Sequence, residues 1–241
     1  MLEGRGVTKR FGGLLALSDI EFELQEEEVV ALIGPNGSGK TTLFNIISGL
    51  MRPDKGRIMF DGIDITHKPP QYICKIGISR TFQIVRPFRN LTVRENVALA
   101  AIHGGQGANL KEAMKRSEEI LEVVGIGDKA DQPAGAMTLV DIKRMEIARA
   151  LATNPRVLLL DEPMAGLIPS EIMYANQLIN RLRKEMGISI FLVEHVMRVV
   201  AAVSDRVIVL NYGEKLAEGS PSEVMRDHRV VQAYLGDRGV D

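Results

Sequence analysis

The run Gly34-Pro35-Asn36-Gly37-Ser38-Gly39-Lys40-Thr41 constrains this chain more than any other stretch. It matches G-x-x-x-x-G-K-[ST], follows the apolar residues Val29-Val30-Ala31-Leu32-Ile33, and leads into Thr42-Leu43-Phe44-Asn45-Ile46-Ile47. A strand, a glycine-rich loop and a helix start together make a cradle for nucleotide phosphates. The glycines let backbone N–H groups turn inward, and the helix N-terminus adds about half a positive charge. In such a cradle Lys40 reaches the β and γ phosphates and the Thr41 hydroxyl ligates Mg²⁺. Residues 34 to 42 are therefore expected to line ATP or GTP.

Other apolar runs show what surrounds the loop. Val157 to Leu160, Ile188 to Val193 and Val207 to Leu210 are short, continuous and rich in branched residues, like Val29 to Ile33. Such runs suit parallel strands covered on both faces. Helical stretches alternate with them, notably Ser170 to Glu185 and His195 to Val203, which predicts an α/β core with a mostly parallel sheet. Leu2 to Val7, Ile20 to Leu24 and Arg57 to Phe60 instead alternate or shorten, as in an antiparallel layer with one wet face. Residues 85 to 155 read as mostly helical. Glu112 to Val124 predicts a surface helix preceded by the loop Gly104 to Gly107. Further on, Tyr212-Gly213-Glu214 reads as a turn and Ser222 to Met225 as a capped helix.

Thirty basic residues against 31 acidic ones leave a net charge of −1, so no bulk charge points to nucleic acid. The single cysteine, Cys74, can form no internal disulfide and is expected to be a reduced, half-buried thiol. There is no signal-peptide pattern, and no apolar run nears the ~18 residues needed to span a bilayer. The expectation is a cytoplasmic chain that meets a membrane only through a partner.

Far along the sequence, Val157-Leu158-Leu159-Leu160-Asp161-Glu162-Pro163 is an apolar strand ending in two carboxylates. A phosphate-loop enzyme needs an acid at a strand tip to hold Mg²⁺, a role that suits Asp161. Glu162 would then polarise the attacking water as general base. The bland alternative is an exposed acidic turn, which the presence of the phosphate loop disfavours. Gln83 follows Gly77 to Phe82, where an amide could touch Mg²⁺ or the attacking water. His195 follows Ile190 to Glu194, where an imidazole could hydrogen-bond the γ-phosphate. Taken singly, such a Gln is usually a surface residue and such a His often a cap.

Their order changes those odds. Phosphate loop, Gln83, Asp161-Glu162 and His195 stand in the sequence and spacing of an ATP-binding cassette (ABC) transporter ATPase, and the resemblance covers essentially the whole chain. It implies a RecA-like core with an antiparallel β layer, formed by residues 1–84 and 156–241 of a single domain. A helical signature subdomain at 85–155 would be inserted in it. It also implies catalytic roles for Glu162, His195, Gln83 and Lys40, metal contacts from Thr41, Gln83 and Asp161, and an adenine stacked on Phe11, which favours ATP. Partners implied are a second ABC ATPase subunit and two membrane permease subunits, with a substrate-binding protein acting indirectly. Arg80-Thr81-Phe82-Gln83, Arg86 to Arg89, Leu91 to Val97, Asp161 to Leu167, Val193-Glu194-His195 and Ala233 to Gly236 resemble the ATPases of branched-chain amino acid importers. Lipopolysaccharide-export ATPases share some of these motifs.

Two segments depart from the family. Its signature, Leu-Ser-Gly-Gly-Gln or a near variant, falls on Met137-Thr138-Leu139-Val140-Asp141. Thr138 can cap the following helix, but Leu139 and Val140 replace glycines where backbone approaches phosphate, and Asp141 adds negative charge. Charge repulsion at about 4 Å would be ~4 kcal/mol at an effective dielectric near 20. Ile168 stands where the family has Asp or Asn. Both segments act across the dimer in the family, so the expectation is an asymmetric pair whose partner-bound ATP turns over poorly. The alternatives are that the substitutions are tolerated, or that the chain is an altered or inactive variant in a homo- or heterodimer. A GTPase would need a guanine-reading Asn/Thr-Lys-x-Asp, which is absent. A chromosome-maintenance ATPase would need a long coiled coil after Gln83, and the chain has no room for one.

Overall fold

In the computed structural model, which describes residues 1–83, 85–105 and 107–235, the chain forms two units. One is Met1–Pro69 with Ser189–Asp241, the other Pro70–Ile188. The first unit begins with strands β1 (Leu2–Phe11), β2 (Leu14–Leu24) and β3 (Val29–Ile33), helix α1 (Lys40–Ile47), and strands β4 (Lys55–Phe60) and β5 (Ile63–Asp64). In the order β2-β1-β4-β5, four of these strands make the antiparallel layer expected from their alternation. Ile20, Phe22 and Leu24 are buried while Glu21 and Glu23 face solvent, the period of two that a half-wet sheet requires.

The second unit contains helix α2 (Pro70–Lys75), strand β6 (Ile78–Arg80), helices α3 (Val93–His103), α4 (Leu110–Val123) and α5 (Leu139–Ala152), strand β7 (Val157–Asp161) and helix α6 (Pro169–Met186). β6 and β7 pair in parallel, with Ile78 opposite Val157. Among the described residues from 85 to 155 there is no strand, only an isolated bridge between Thr92 and Pro133. Side chains start these helices: Thr92 with Glu95 and Asn109 with Glu112 form capping boxes, and Thr138 caps α5 as expected. Of the stretch Gly77 to Phe82 that leads into Gln83, only Ile78–Arg80 is strand. Gly77 turns at φ +107°, and beyond Arg80 only the Thr81 N–H continues the ladder, to the Leu159 carbonyl.

The chain then returns to the first unit through β8 (Ser189–Val193), α7 (Met197–Val203), β9 (Arg206–Asn211), β10 (Glu214–Gly219), α8 (Pro221–Arg226) and α9 (His228–Leu235). Strand β3 is flanked in parallel by β8 and β9, with Val29 opposite Ile190 and Val30 opposite Arg206. All five residues of β3 and of β8 are buried, which explains the apolar runs Val29–Ile33 and Ile190–Val193. Phe191 of β8 packs between Phe22 and Phe44, with ring centroids 5.5 and 5.3 Å away, and so joins the parallel strands to the antiparallel layer and to α1. The cap of α8 is Ser220 with Glu223, two residues before the predicted Ser222, because Pro221 takes the first helical position. Cys74 is free and half-buried. Among the described residues no helix is long and apolar enough to cross a membrane.

Candidate active site

The phosphate loop hangs from the carboxyl end of β3. Gly34 has φ +148°, and a Cβ there would lie 2.0 Å from the Leu210 carbonyl oxygen of β9. Gly39, at φ +106°, precedes α1, where a Cβ would lie 2.6 Å from the Ala16 carbonyl oxygen. Side chains are thus excluded at both ends of the loop. The Ser38 N–H donates to the Pro35 carbonyl at 3.2 Å and tightens the turn. Lys40 is only 6% exposed, and its Nζ donates to the carbonyls of Gly34 (2.8 Å) and Pro35 (2.9 Å). Helix α1 starts without a side-chain cap, the arrangement in which first-turn amides suit an anion.

Two further predicted residues belong to the same unit. Leu32 and Val193 stand opposite each other in β3 and β8, so Gly34 and His195 both leave the carboxyl ends of neighbouring parallel strands. Ligands of open α/β sheets bind at such ends. His195 is exposed, while the buried Glu194 carboxylate accepts the N–H groups of His195 (3.0 Å) and Val196 (3.4 Å). That turn is why α7 starts at Met197 rather than at His195. Phe11 ends β1 and is 46% exposed, with Lys9 Nζ 5.7 Å from its ring.

In the second unit the carboxylates of β7 meet the segment that follows β6. Gln83 Nε2 donates to Glu162 Oε2 at 2.9 Å, so two of the predicted residues are brought together. Asp161 is buried; its N–H donates to Thr81 Oγ1 (3.2 Å), and its Oδ2 accepts from Arg80 Nη2 (2.7 Å). Glu162 occupies the left-handed region at φ +50°, a strain of order 1–3 kcal/mol for a non-glycine. Lys143 of α5 holds that turn by donating to the carbonyls of Glu162 (3.3 Å) and Pro163 (3.2 Å). Among the described residues no three His, Cys, Asp or Glu side chains gather into a metal-holding group. Within this unit the Gln83 amide and the Asp161 carboxylate offer only oxygen donors. Such a set fits Mg²⁺ completed by phosphate and water oxygens.

Residues 17–165 match the family model described as ABC transporter. The chain belongs to the ABC transporter ATP-binding family. Residues 214–240 match a second model, described as branched-chain amino acid ATP-binding cassette transporter. Over 98% of both chains, this cassette is 40% identical to the high-affinity branched-chain amino acid transport ATP-binding protein BraF of Pseudomonas aeruginosa. It superposes with TM-score 0.90 on the ADP conformation of MJ1267, an ATP-binding cassette of an ABC transporter, at 33% identity over 98% of this chain and 99% of that one. A dimeric, post-hydrolysis structure of the cassette MJ0796 bound to ADP and Pi gives TM-score 0.82 at 32% identity, over 92% and 99%. The protein is thus an ABC ATPase, the ATP-binding subunit of a transporter.

The departures from the cassette signature are on view in the second unit. Leu139 is 55% exposed at the start of α5, and Ile168 is 58% exposed where α6 begins. Ile168 gives α6 no side-chain cap; the Glu171 carboxylate accepts its N–H instead. Asp141 behaves differently from expectation. It turns inward, accepting from Lys129 Nζ (2.7 Å) and from the Thr138 hydroxyl (2.6 Å). Burial pushes its carboxyl up, but Lys129 and Thr138 prevail and hold it below the usual 3.8. Its charge is neutralised inside the second unit, so repulsion of a phosphate is not what sets this signature apart. The apolar Leu139 and Val140 are.

Several residues that shape this site carry no motif signal. Lys143 braces the Glu162 turn, and the buried Glu146 carboxylate accepts the Phe82 N–H at 2.7 Å, fixing the residue before Gln83. Burial raises the Glu146 pKa above the usual 4.5, against the opposing pull of the Phe82 N–H, Arg149 and Lys143. Between 4.5 and that raised value the folded state holds more protons than the unfolded one, so stability falls as pH rises through this window. Glu146→Gln keeps an acceptor for Phe82 and removes the titration. Its stability relative to the unmodified cassette is expected to rise with pH across that window, read as urea midpoints at a series of pH values. A pH-independent difference would contradict the burial argument. In the first unit, Tyr234 of α9 lies within hydrogen-bonding reach of the Gly34 backbone, and Val230, one turn earlier, packs in the same cluster as Ile33. Tyr234 falls in the Ala233 to Gly236 stretch noted from the sequence, but nothing in that resemblance set it against the loop.

Proposed function

We propose that this cassette binds ATP along Gly34, Pro35, Asn36, Gly37, Ser38, Gly39, Lys40, Thr41 and Thr42, with Phe11 stacked on the adenine. Thr41, Gln83 and Asp161 would hold Mg²⁺, which supplies charge neutralisation between the β and γ phosphates. Lys40 exchanges its loop carbonyls for β and γ phosphate oxygens. Glu162 takes the proton of the attacking water, Gln83 orients that water, and His195 hydrogen-bonds the γ-phosphate. The 2.9 Å contact between Gln83 and Glu162 supports this division of labour, since it places an amide beside the general base.

The observation that carries the transport reading is the match of residues 214–240 to a branched-chain amino acid cassette model, beyond the general cassette match at 17–165. We infer a subunit of a branched-chain amino acid importer. It would sit at the cytoplasmic face of the membrane, beneath two permease subunits and paired with a second ABC ATPase subunit. A binding protein would deliver substrate from the far side. The helical part is proposed as residues 85–155, with 1–84 and 156–241 as the nucleotide-binding core. Closure of the pair on two ATPs would displace the Gln83 to Val97 region, proposed to meet the permeases.

The exposed Leu139 and Ile168 support an asymmetric pair, with ATP on this chain hydrolysed against the partner's signature. The test is the steady-state ATPase rate of the purified chain across protein concentrations, followed by leucine uptake in proteoliposomes holding the whole transporter. Near-zero turnover by the chain alone, restored by the second ATPase subunit and coupled to leucine uptake, is expected. A rate rising faster than linearly with the chain alone would show Met137 to Asp141 serving as a competent signature. ATP-driven uptake of another solute but not leucine would overturn the importer assignment.

A further inference from the structure

Each of the four residues from Arg80 to Gln83 bonds to the end of β7, to the Glu162 turn or to α5, and one of these bonds differs in kind. Gln83 meets Glu162, the Phe82 N–H meets Glu146, and the Thr81 hydroxyl accepts the Asp161 N–H. Arg80 instead sets a full positive charge against the carboxylate read above as a metal ligand, at 2.7 Å, with side chains 6% and 4% exposed. Taking two charges out of water is costly, and a well-packed apolar pair often serves a fold as well or better. Arginine cannot discard its charge by deprotonation, so Asp161 is permanently compensated. The guanidinium also lies 5.3 Å from the Phe82 ring, which helps fix it between the two neighbours.

A carboxylate in this state is a poor trap for a free divalent cation. Its attraction for a metal is offset by a cation of the protein's own, and one of its oxygens already accepts a hydrogen bond. We propose that Arg80 is a positioning residue that prevents Asp161 from holding a divalent metal by itself, so that metal is retained only together with nucleotide phosphates. The proposal rests on Asp161 being the metal-binding carboxylate. It makes metal and ATP arrive as one ligand, and it leaves the nucleotide-free cassette empty of metal at concentrations where a bare, buried aspartate would collect it.

The experiment titrates Mn²⁺ as a paramagnetic probe into the purified full chain, with and without ATP, and reads bound metal by electron paramagnetic resonance. Without nucleotide, the unmodified chain is expected to show no saturable site that depends on Asp161. Arg80→Gln is expected to bind Mn²⁺ roughly tenfold tighter or more in the absence of ATP, an increase lost in the double variant with Asp161→Asn. Arg80→Lys keeps the charge and is expected to stay as weak as the parent. Thermal melting of each variant establishes that it is folded. A folded Arg80→Gln chain that binds Mn²⁺ no tighter overturns the proposal. So does a saturable, nucleotide-independent site in the unmodified chain that Asp161→Asn abolishes, an arm that needs no Arg80 variant to fold. Failure of the underlying reading looks different: Asp161→Asn would then leave Mn²⁺ binding in the presence of ATP unchanged.

Discussion

Glu162→Gln is expected to lower ATP turnover in the assembled transporter by about 10²–10⁴-fold, while ATP affinity stays within a few-fold of the parent. The substitution is nearly isosteric, and an amide oxygen can still accept from Gln83 Nε2, which now contacts Glu162 at 2.9 Å. The left-handed backbone at this residue should also persist, because Lys143 secures it through main-chain carbonyls rather than through the side chain. Only proton-accepting capacity is removed. Phosphate release and binding of a fluorescent ATP analogue, measured on one preparation, separate the two quantities. Turnover within threefold of the parent would remove Glu162 from the role of general base.

The second large effect is structural. Gly34→Ala would put a methyl group 2.0 Å from the Leu210 carbonyl oxygen, in a backbone conformation of φ +148° that side-chain-bearing residues rarely adopt. The obstacle is main chain in the adjacent strand, not the flexible end of a side chain, so β3 and β9 must separate or the loop must re-form. A cost of about 3 kcal/mol is expected, or roughly 6–12 °C in melting temperature. ATP affinity should fall at least tenfold, since the displaced amides are those that would face phosphate. Gly37→Ala is the control. It shares a positive φ, +80°, but nothing lies within 4 Å of its Cβ, so only about 1 kcal/mol of backbone strain applies. Equal losses in the two variants would show that strain, not the Leu210 contact, dominates at Gly34.

What was legible in the sequence follows from how far apart the interacting groups lie. The buried strands announced themselves because each is covered on both faces, which forces five consecutive apolar residues at Val29–Ile33 and four at Ile190–Val193. The cap at Thr138 was legible because a cap and its amide are three residues apart. The clasp of Arg80 on Asp161 spans 81 positions and leaves no periodicity behind, and the 64-position reach from Phe82 to Glu146 is equally silent. Asp141 misled for a related reason. As the last residue of a signature slot it reads as a projecting charge, and only the position of Lys129, a nearby residue outside any motif, turns it inward.

The position of β3 also has a consequence for how the chain is made. Every strand paired with β3 comes from the far end of the sequence; the Val29 N–H, for instance, donates to the Asp205 carboxylate across 176 residues. At about 5–20 residues per second, the ribosome takes roughly 10–35 s to supply those partners after Val29 has been polymerised. Until then the glycine-rich segment is a tether on an unpaired, apolar strand, and the entropy of closing so long a loop favours no early contact. Pro70–Ile188 is contiguous in sequence and has no such wait. The nucleotide loop is therefore translated well before the strands that give it its shape, which makes the nascent β3 a natural client for whatever shields apolar strands during synthesis.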